Sequence, residues 1–139
     1  MRSSKLAAAL ALLAIAIAAM PGGEGAPTLC PHTIHISQAT HTQLVTAGPD
    51  QRIFICGLIV VSAGPQSISL VEGTGTTCDT DTQGLIGSHS ASMSLAPNAG
   101  FAGVASSPWL NTRVASDHLC LFQSGTANVS GTLTYEVAQ

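Results

Sequence analysis

Four cysteines, Cys30, Cys56, Cys78 and Cys120, are the residues of this chain best equipped for covalent chemistry. As thiolates they could ligate zinc or attack an electrophile; oxidised, they pair. Zinc sites draw on close pairs such as C-x₂-C, and the separations here are 26, 22 and 42 residues. An even number of cysteines behind an export signal points instead to two disulfides, which leaves no free thiolate. Four cysteines allow three connectivities. The favoured one joins Cys30 to Cys56, tying the N-terminal segment to a strand, and Cys78 to Cys120, tying a Gly/Thr-rich loop to a late strand. Each bridge is expected to stabilise the fold by roughly 2–4 kcal/mol, largely by restricting the unfolded chain.

The other reactive side chains converge less well. His32, His35 and His41 invite a metal, but alternation sets His35 opposite Ile34 and Ile36 and His32 on their side, so the pair diverges and reads as solvated. Asp79 and Asp81 alternate in a Gly/Thr loop, with Asp117 far downstream. A calcium loop would continue the series of oxygen ligands, and Thr77 and Gln83 interrupt it, so the acids read as solubilising. No Gly-x-Ser-x-Gly elbow occurs, and Ser88 next to His89 cannot aim at it along a strand. Glycoside hydrolysis needs two carboxyls flanking a bond; Glu72 and Glu136 read as strand-end charges. Asn128-Val-Ser130 is a glycosylation sequon inside an expected strand. Trp109, Phe101 and Tyr135 could form a sugar platform, but in a chain so poor in aromatics core packing is the stronger claim on them. No catalytic, cofactor-binding or metal-ligating residue is assigned, no cofactor is expected, and the chain reads as non-enzymatic.

The N-terminus accounts for the redox argument. Arg2 and Lys5 precede an apolar run, Leu6 to Met20, which Pro21-Gly-Gly ends. Small residues at Gly23 and Gly25 frame a cut before Ala26. This is the order of a secretory signal, and its 15 apolar residues fall short of the roughly 20 that span a bilayer. Residues 1–25 are therefore read as a signal peptide and 26–139 as one domain, secreted or periplasmic, with no membrane span after cleavage. The domain keeps two cations, Arg52 and Arg113, against six acids, for a formal net charge of −4 with neutral histidines. It has no lysine. Nucleic acid and anionic membranes both demand cations, so both are excluded as partners.

The remaining chain alternates in short stretches. Thr33–Gln38, His41–Thr46, Ser67–Glu72, Ser90–Leu95, His118–Phe122 and Ala127–Val137 read as strands, with further short strands near the ends of Phe101–Val114. Arg52–Ser62 (RIFICGLIVVS) is the strongest, with Ile53, Ile55, Ile59 and Val61 on one face and Phe54, Cys56, Leu58 and Val60 on the other. Both faces being apolar, this strand is expected to be covered on both sides, at least in part. Gly73–Asp81 reads as a loop, and turns fall at Ala47-Gly-Pro-Asp50, Ala63-Gly-Pro-Gln66 and Ala96-Pro-Asn-Ala-Gly100. About eight short strands with regular turns give an all-β, jelly-roll-like sandwich, with an immunoglobulin-like sandwich as the alternative.

Several stretches resemble small β proteins encoded by tailed bacteriophages and prophages: Ile36–Val45 (ISQATHTQLV), Ile53–Gly57 (IFICG), Glu72–Cys78 (EGTGTTC), His118–Leu121 (HLCL) and Val129–Tyr135 (VSGTLTY). The resemblance implies a compact sandwich used as a structural or decoration component on a virion surface, often as a homo-oligomer. A secreted domain that binds carbohydrate or a cell surface is the second expectation, because jelly rolls also serve as lectins.

Overall fold

A computed structural model describes residues 30–88 and 90–139. The export signal read over residues 1–25 lies outside them, as does His89. Ten strands follow in order: β1 (His32–Gln38), β2 (Thr42–Val45), β3 (Arg52–Ser62), β4 (Gln66–Thr74), β5 (Thr80–Ile86), β6 (Met93–Leu95), β7 (Gly100–Val104), β8 (Leu110–Asn111), β9 (His118–Gln123) and β10 (Val129–Ala138). Among the described residues there is no helix.

The strands form two antiparallel sheets of five. Sheet A runs β1-β10-β3-β7 with β8 also on β3; sheet B runs β2-β9-β4-β5 with β6 also on β4. β7 and β8 lie in succession along β3, and β5 and β6 along β4. Ten strands thus occupy eight positions. Their pairings are nested: β1 with β10, β2 with β9, β3 with β7 and β8, β4 with β5 and β6. One long hairpin is rolled up so that β10 also pairs β3 and β9 also pairs β4. That is the jelly-roll course.

The core lies between the sheets. Ile36, Ile53, Ile55, Leu58, Val60, Leu133 and Val129 of sheet A meet Ile68, Leu70, Leu119 and Leu121 of sheet B. A second, small cluster sits on the outside of sheet B, where Val71, Cys78 and Cys120 are buried together. Cys30 bonds to Cys56, and Cys78 to Cys120. Disulfides of this kind persist in extracellular and periplasmic compartments.

Two details differ from the sequence reading. In β3 the ladder with β10 slips between Thr134 and Tyr135, which pair Gly57 and Ile55 and leave Cys56 as the extra residue. This bulge inverts the alternation. Ile53 and Ile55 therefore share the core with Leu58 and Val60, while Ile59 and Val61, grouped with them by strict alternation, are 46% and 43% exposed. The outer face of β3 is thus covered in part: Cys56 is buried, whereas Ile59 and Val61 are open. The segment read as a polar loop also contains more order: β4 continues to Thr74 and β5 begins at Thr80. Thr80–Ile86 (TDTQGLI) lacks an apolar alternation and makes its ladder with two register shifts, so pairing rather than pattern defines it.

Candidate functional site

The register places every charged side chain of the described residues at one end of the sandwich. Asp50 lies in the β2–β3 connection and Arg52 opens β3. Glu72 is near the end of β4, Asp79 is in the β4–β5 loop, and Asp81 is at the start of β5. Arg113 and Asp117 lie between β8 and β9, and Glu136 pairs Phe54 near the end of β10. The loops at the opposite end, 39–41, 63–65, 87–92, 96–99 and 124–128, contain Ala, Gly, Ser, Thr, Pro, Asn and His alone. The two bridges also belong to the charged half: Cys30 precedes β1 and Cys78 lies in the β4–β5 loop.

Glu72 organises the charged end. Sequence reasoning made it a strand-end charge, yet it is fully buried. It shares its phase with Ile68 and Leu70, so alternation alone points it inward; that signal was available. The backbone N–H groups of Arg113 and Val114 both donate to its Oε2. The Arg113 guanidinium stands 4.0 Å from Oε1 through Nε and donates through Nη2 to the Gly84 carbonyl. The carboxylate thereby pins the crossing from sheet A to sheet B to the mouth of the core. Burial pushes its pKa up; the two N–H donors oppose that and the negative charge of Asp117 adds to it.

Asp117 is buried too, at 3% exposure, and is not the remote acid its sequence position suggests. Burial raises its pKa first and the Asp81 charge second, with neighbouring His118 pulling the other way. His118 accepts the Ala47 N–H at Nδ1, 3.3 Å away, which ties the β2–β3 loop to the same cluster. Asp81 remains at the surface in a left-handed conformation (φ 53°). Thus the fold brings together Glu72, Asp81 and Asp117, which the chain separates widely. Among the described residues no group of three His, Cys, Asp or Glu side chains is placed to hold a metal ion.

The remaining residues stay apart. His35 is exposed on the outer face of β1, His32 lies against Tyr135 with ring centres 5.3 Å apart, and His41 meets Phe122 edge-on at 5.1 Å. Trp109 and Phe101 are neighbours at 6.4 Å, and Tyr135 belongs with His32 instead. The Trp109 indole donates to the Cys56 carbonyl at 3.1 Å, which also accepts the Ala105 N–H. A Cβ at Gly103 would come within 2.7 Å of that ring, so the absence of a side chain makes room for it. Asn128 donates through Nδ2 to Ser130 Oγ at 2.8 Å, just ahead of and at the start of β10.

The two outer faces differ. On sheet B the β4–β5 loop buries Val71 and Cys120, and Gly87 lies over Ser69. On sheet A the outer face is open. Its rows run His35, Thr132, Ile59, Ala102 and, one step on, Ser37, Ser130, Val61, Gly100. A third row brings Thr33, Thr134, Gly57 and Val104. Hydroxyls cover the β1 and β10 side and aliphatic groups the β3 and β7 side, with Val104 70% exposed. None of the three rows contains a charged residue.

No family model, curated protein or solved structure matches the chain. Among the described residues, no helix is long and apolar enough to cross a membrane.

Proposed function

We propose that this is an exported, non-catalytic structural module, phage-related, that attaches to a particle or cell-envelope surface through the outer face of sheet A. The observation that carries the reading is the contrast on that face: three rows across four strands without a charge, Ile59, Val61 and Val104 exposed, in a domain whose charge is all at one end. Exposed aliphatic groups rimmed by hydroxyls suit contact with another surface, since burying them needs no ion to be desolvated. The disulfides suit a compartment outside the cytoplasm. The sequence resemblance to phage and prophage proteins supports a particle or the envelope of its host as the surface.

Co-sedimentation of the exported protein with isolated cell envelopes and with phage particles tests this. The expected result is retention that survives high salt and is lost in Ile59→Lys. Protein that stays in the supernatant in both assays overturns the reading. Binding only on a glycan array, with envelopes and particles negative, replaces it with the carbohydrate-binding alternative.

A further inference from the structure

Buried charges in proteins are paired or bound to metal, because an isolated ionised carboxylate is expensive to take out of water. Glu72 follows that rule through two backbone N–H groups and the Arg113 guanidinium. Asp117 does not. It is 3% exposed, and its Oδ2 is buried with no hydrogen-bond partner among the described residues. Arg113 is already committed to Glu72 and the Gly84 carbonyl. A second acid reaches the same place. Asp117 lies two residues before Leu119, so alternation turns it towards the mouth of the core beside Glu72, which pairs Leu119. Asp81 comes from the other side of β4: His118 pairs Gly73 there, and Thr80 pairs Thr74. Gly73 has no side chain, and the β4–β5 loop closes down on it. A Cβ at Gly73 would come 2.8 Å from the Thr80 carbonyl and 3.0 Å from the Cys78 carbonyl. The loop thereby brings Asp81 close enough for its charge to bear on Asp117. Asp81 is exposed, so one acid is sealed in and the other opens to solvent.

We propose that a calcium ion binds at this mouth with Asp117 and Asp81 as its two carboxylate ligands, water and neutral oxygens completing its shell. Calcium takes six to eight oxygens in flexible geometry and accepts carbonyls and water beside carboxylates; magnesium demands a near-ideal octahedron, and zinc favours nitrogen and sulfur. Two carboxylates are fewer than the three-residue groups absent among the described residues. The site therefore belongs to the weak class found in extracellular modules, with a Kd of about 0.1–1 mM, and the disulfides suit the same compartment. The linear series that Thr77 and Gln83 interrupt is not needed, because the second acid comes from another strand end. The ion supplies the partner that Asp117 lacks and offsets the crowding of negative charge, so the domain tightens where calcium is plentiful. The site lies clear of the outer face of sheet A and stands apart from the surface-attachment reading.

The test is calcium titration of the exported, oxidised protein after treatment with a chelator, followed by calorimetry and by thermal melts at constant ionic strength. The native protein should bind one calcium ion, and calcium at ten times its Kd should raise the folding constant about tenfold. Asp117→Asn and Asp81→Asn should each weaken binding at least tenfold. Asp81→Asn keeps the fold testable if Asp117→Asn fails to fold, because Asp81 is exposed and asparagine tolerates its left-handed backbone (φ 53°). Asp50→Asn removes a charge from the same end, outside the site, and should leave binding unchanged. No heat and no shift of the melt up to about 10 mM calcium, far above the expected Kd, overturns the proposal. So does an equal shift with sodium chloride of matched ionic strength, which is screening alone, or calcium binding that Asp81→Asn leaves as in the native protein.

Discussion

The two ends of the sandwich are held by different chemistry. At the charged end the disulfides and the Glu72 carboxylate fix the loops. At the neutral end uncharged groups do the same work. The buried Gln66 amide donates to Ser62 Oγ and the Ala127 carbonyl, both at 2.8 Å, and Gln123 donates to the Thr40 carbonyl at 2.9 Å. Ser124 Oγ accepts the Ser67 N–H at 2.9 Å. The contrast teaches that the strongest ties stand where like charges crowd. The charge of Asp117 bears on Glu72 and that of Asp81 on Asp117, and covalent links hold loops that such repulsion would loosen.

That account can be broken at several points. The largest effect should come from replacing Cys78 and Cys120 together by alanine, which opens a separation of 42 residues and should cost about 4 kcal/mol in urea unfolding. Both sulfur-bearing residues are fully buried while Cys30 is partly exposed, so mild reductant should open Cys30–Cys56 first, as peptide mapping would register. A Cys78–Cys120 bridge that reduces first would contradict this ordering.

Next is Glu72. Glu72→Ala strands two backbone donors and should cost about 2 kcal/mol. Glu72→Gln keeps an acceptor and removes a buried charge, so near neutral pH it should be at least as stable as the native protein. The pH dependence follows from the same carboxyl. Glu72 and Asp117 have pKa values raised on folding from 4.5 and 3.8, so the folded protein binds protons more tightly than the unfolded one. Their contribution is then most favourable below those ordinary values and declines as pH rises through the raised ones. Thermal melts from about pH 4 to about pH 7 should show falling stability, with a shallower slope in Glu72→Gln. A slope of the opposite sign would remove the repulsion argument. Smallest is Gln66→Ala, at about 1 kcal/mol, with faster amide exchange confined to the neutral-end loops.

Much of the scaffold was legible in the chain. Arg52–Ser62 shows its strand limits because β-branched residues run between two Gly-Pro turns, and Ile68 and Leu70 announce the core face of β4. What stayed hidden depends on partners. The bulge at Cys56 exists only in the ladder with β10, and without it Ile59 and Val61 look like core. β5 is a strand because β4 lies beside it. The crowding of acids at one end requires the roll-up that brings Asp117 towards Glu72 and Asp81. The phase of Glu72, by contrast, was visible and points inward without any knowledge of the fold.

The nested pairing also fixes an order of events in time. His32 pairs Tyr135, so the first strand has no partner until the last one exists. Contacts that close so much chain form slowly. A nascent copy must therefore leave β1 without its ladder until β10 has been made. Lateness of closure, a handicap for folding speed, is thus written into the roll-up itself, which makes the edge strand of sheet A wait for the strand made last among the ten.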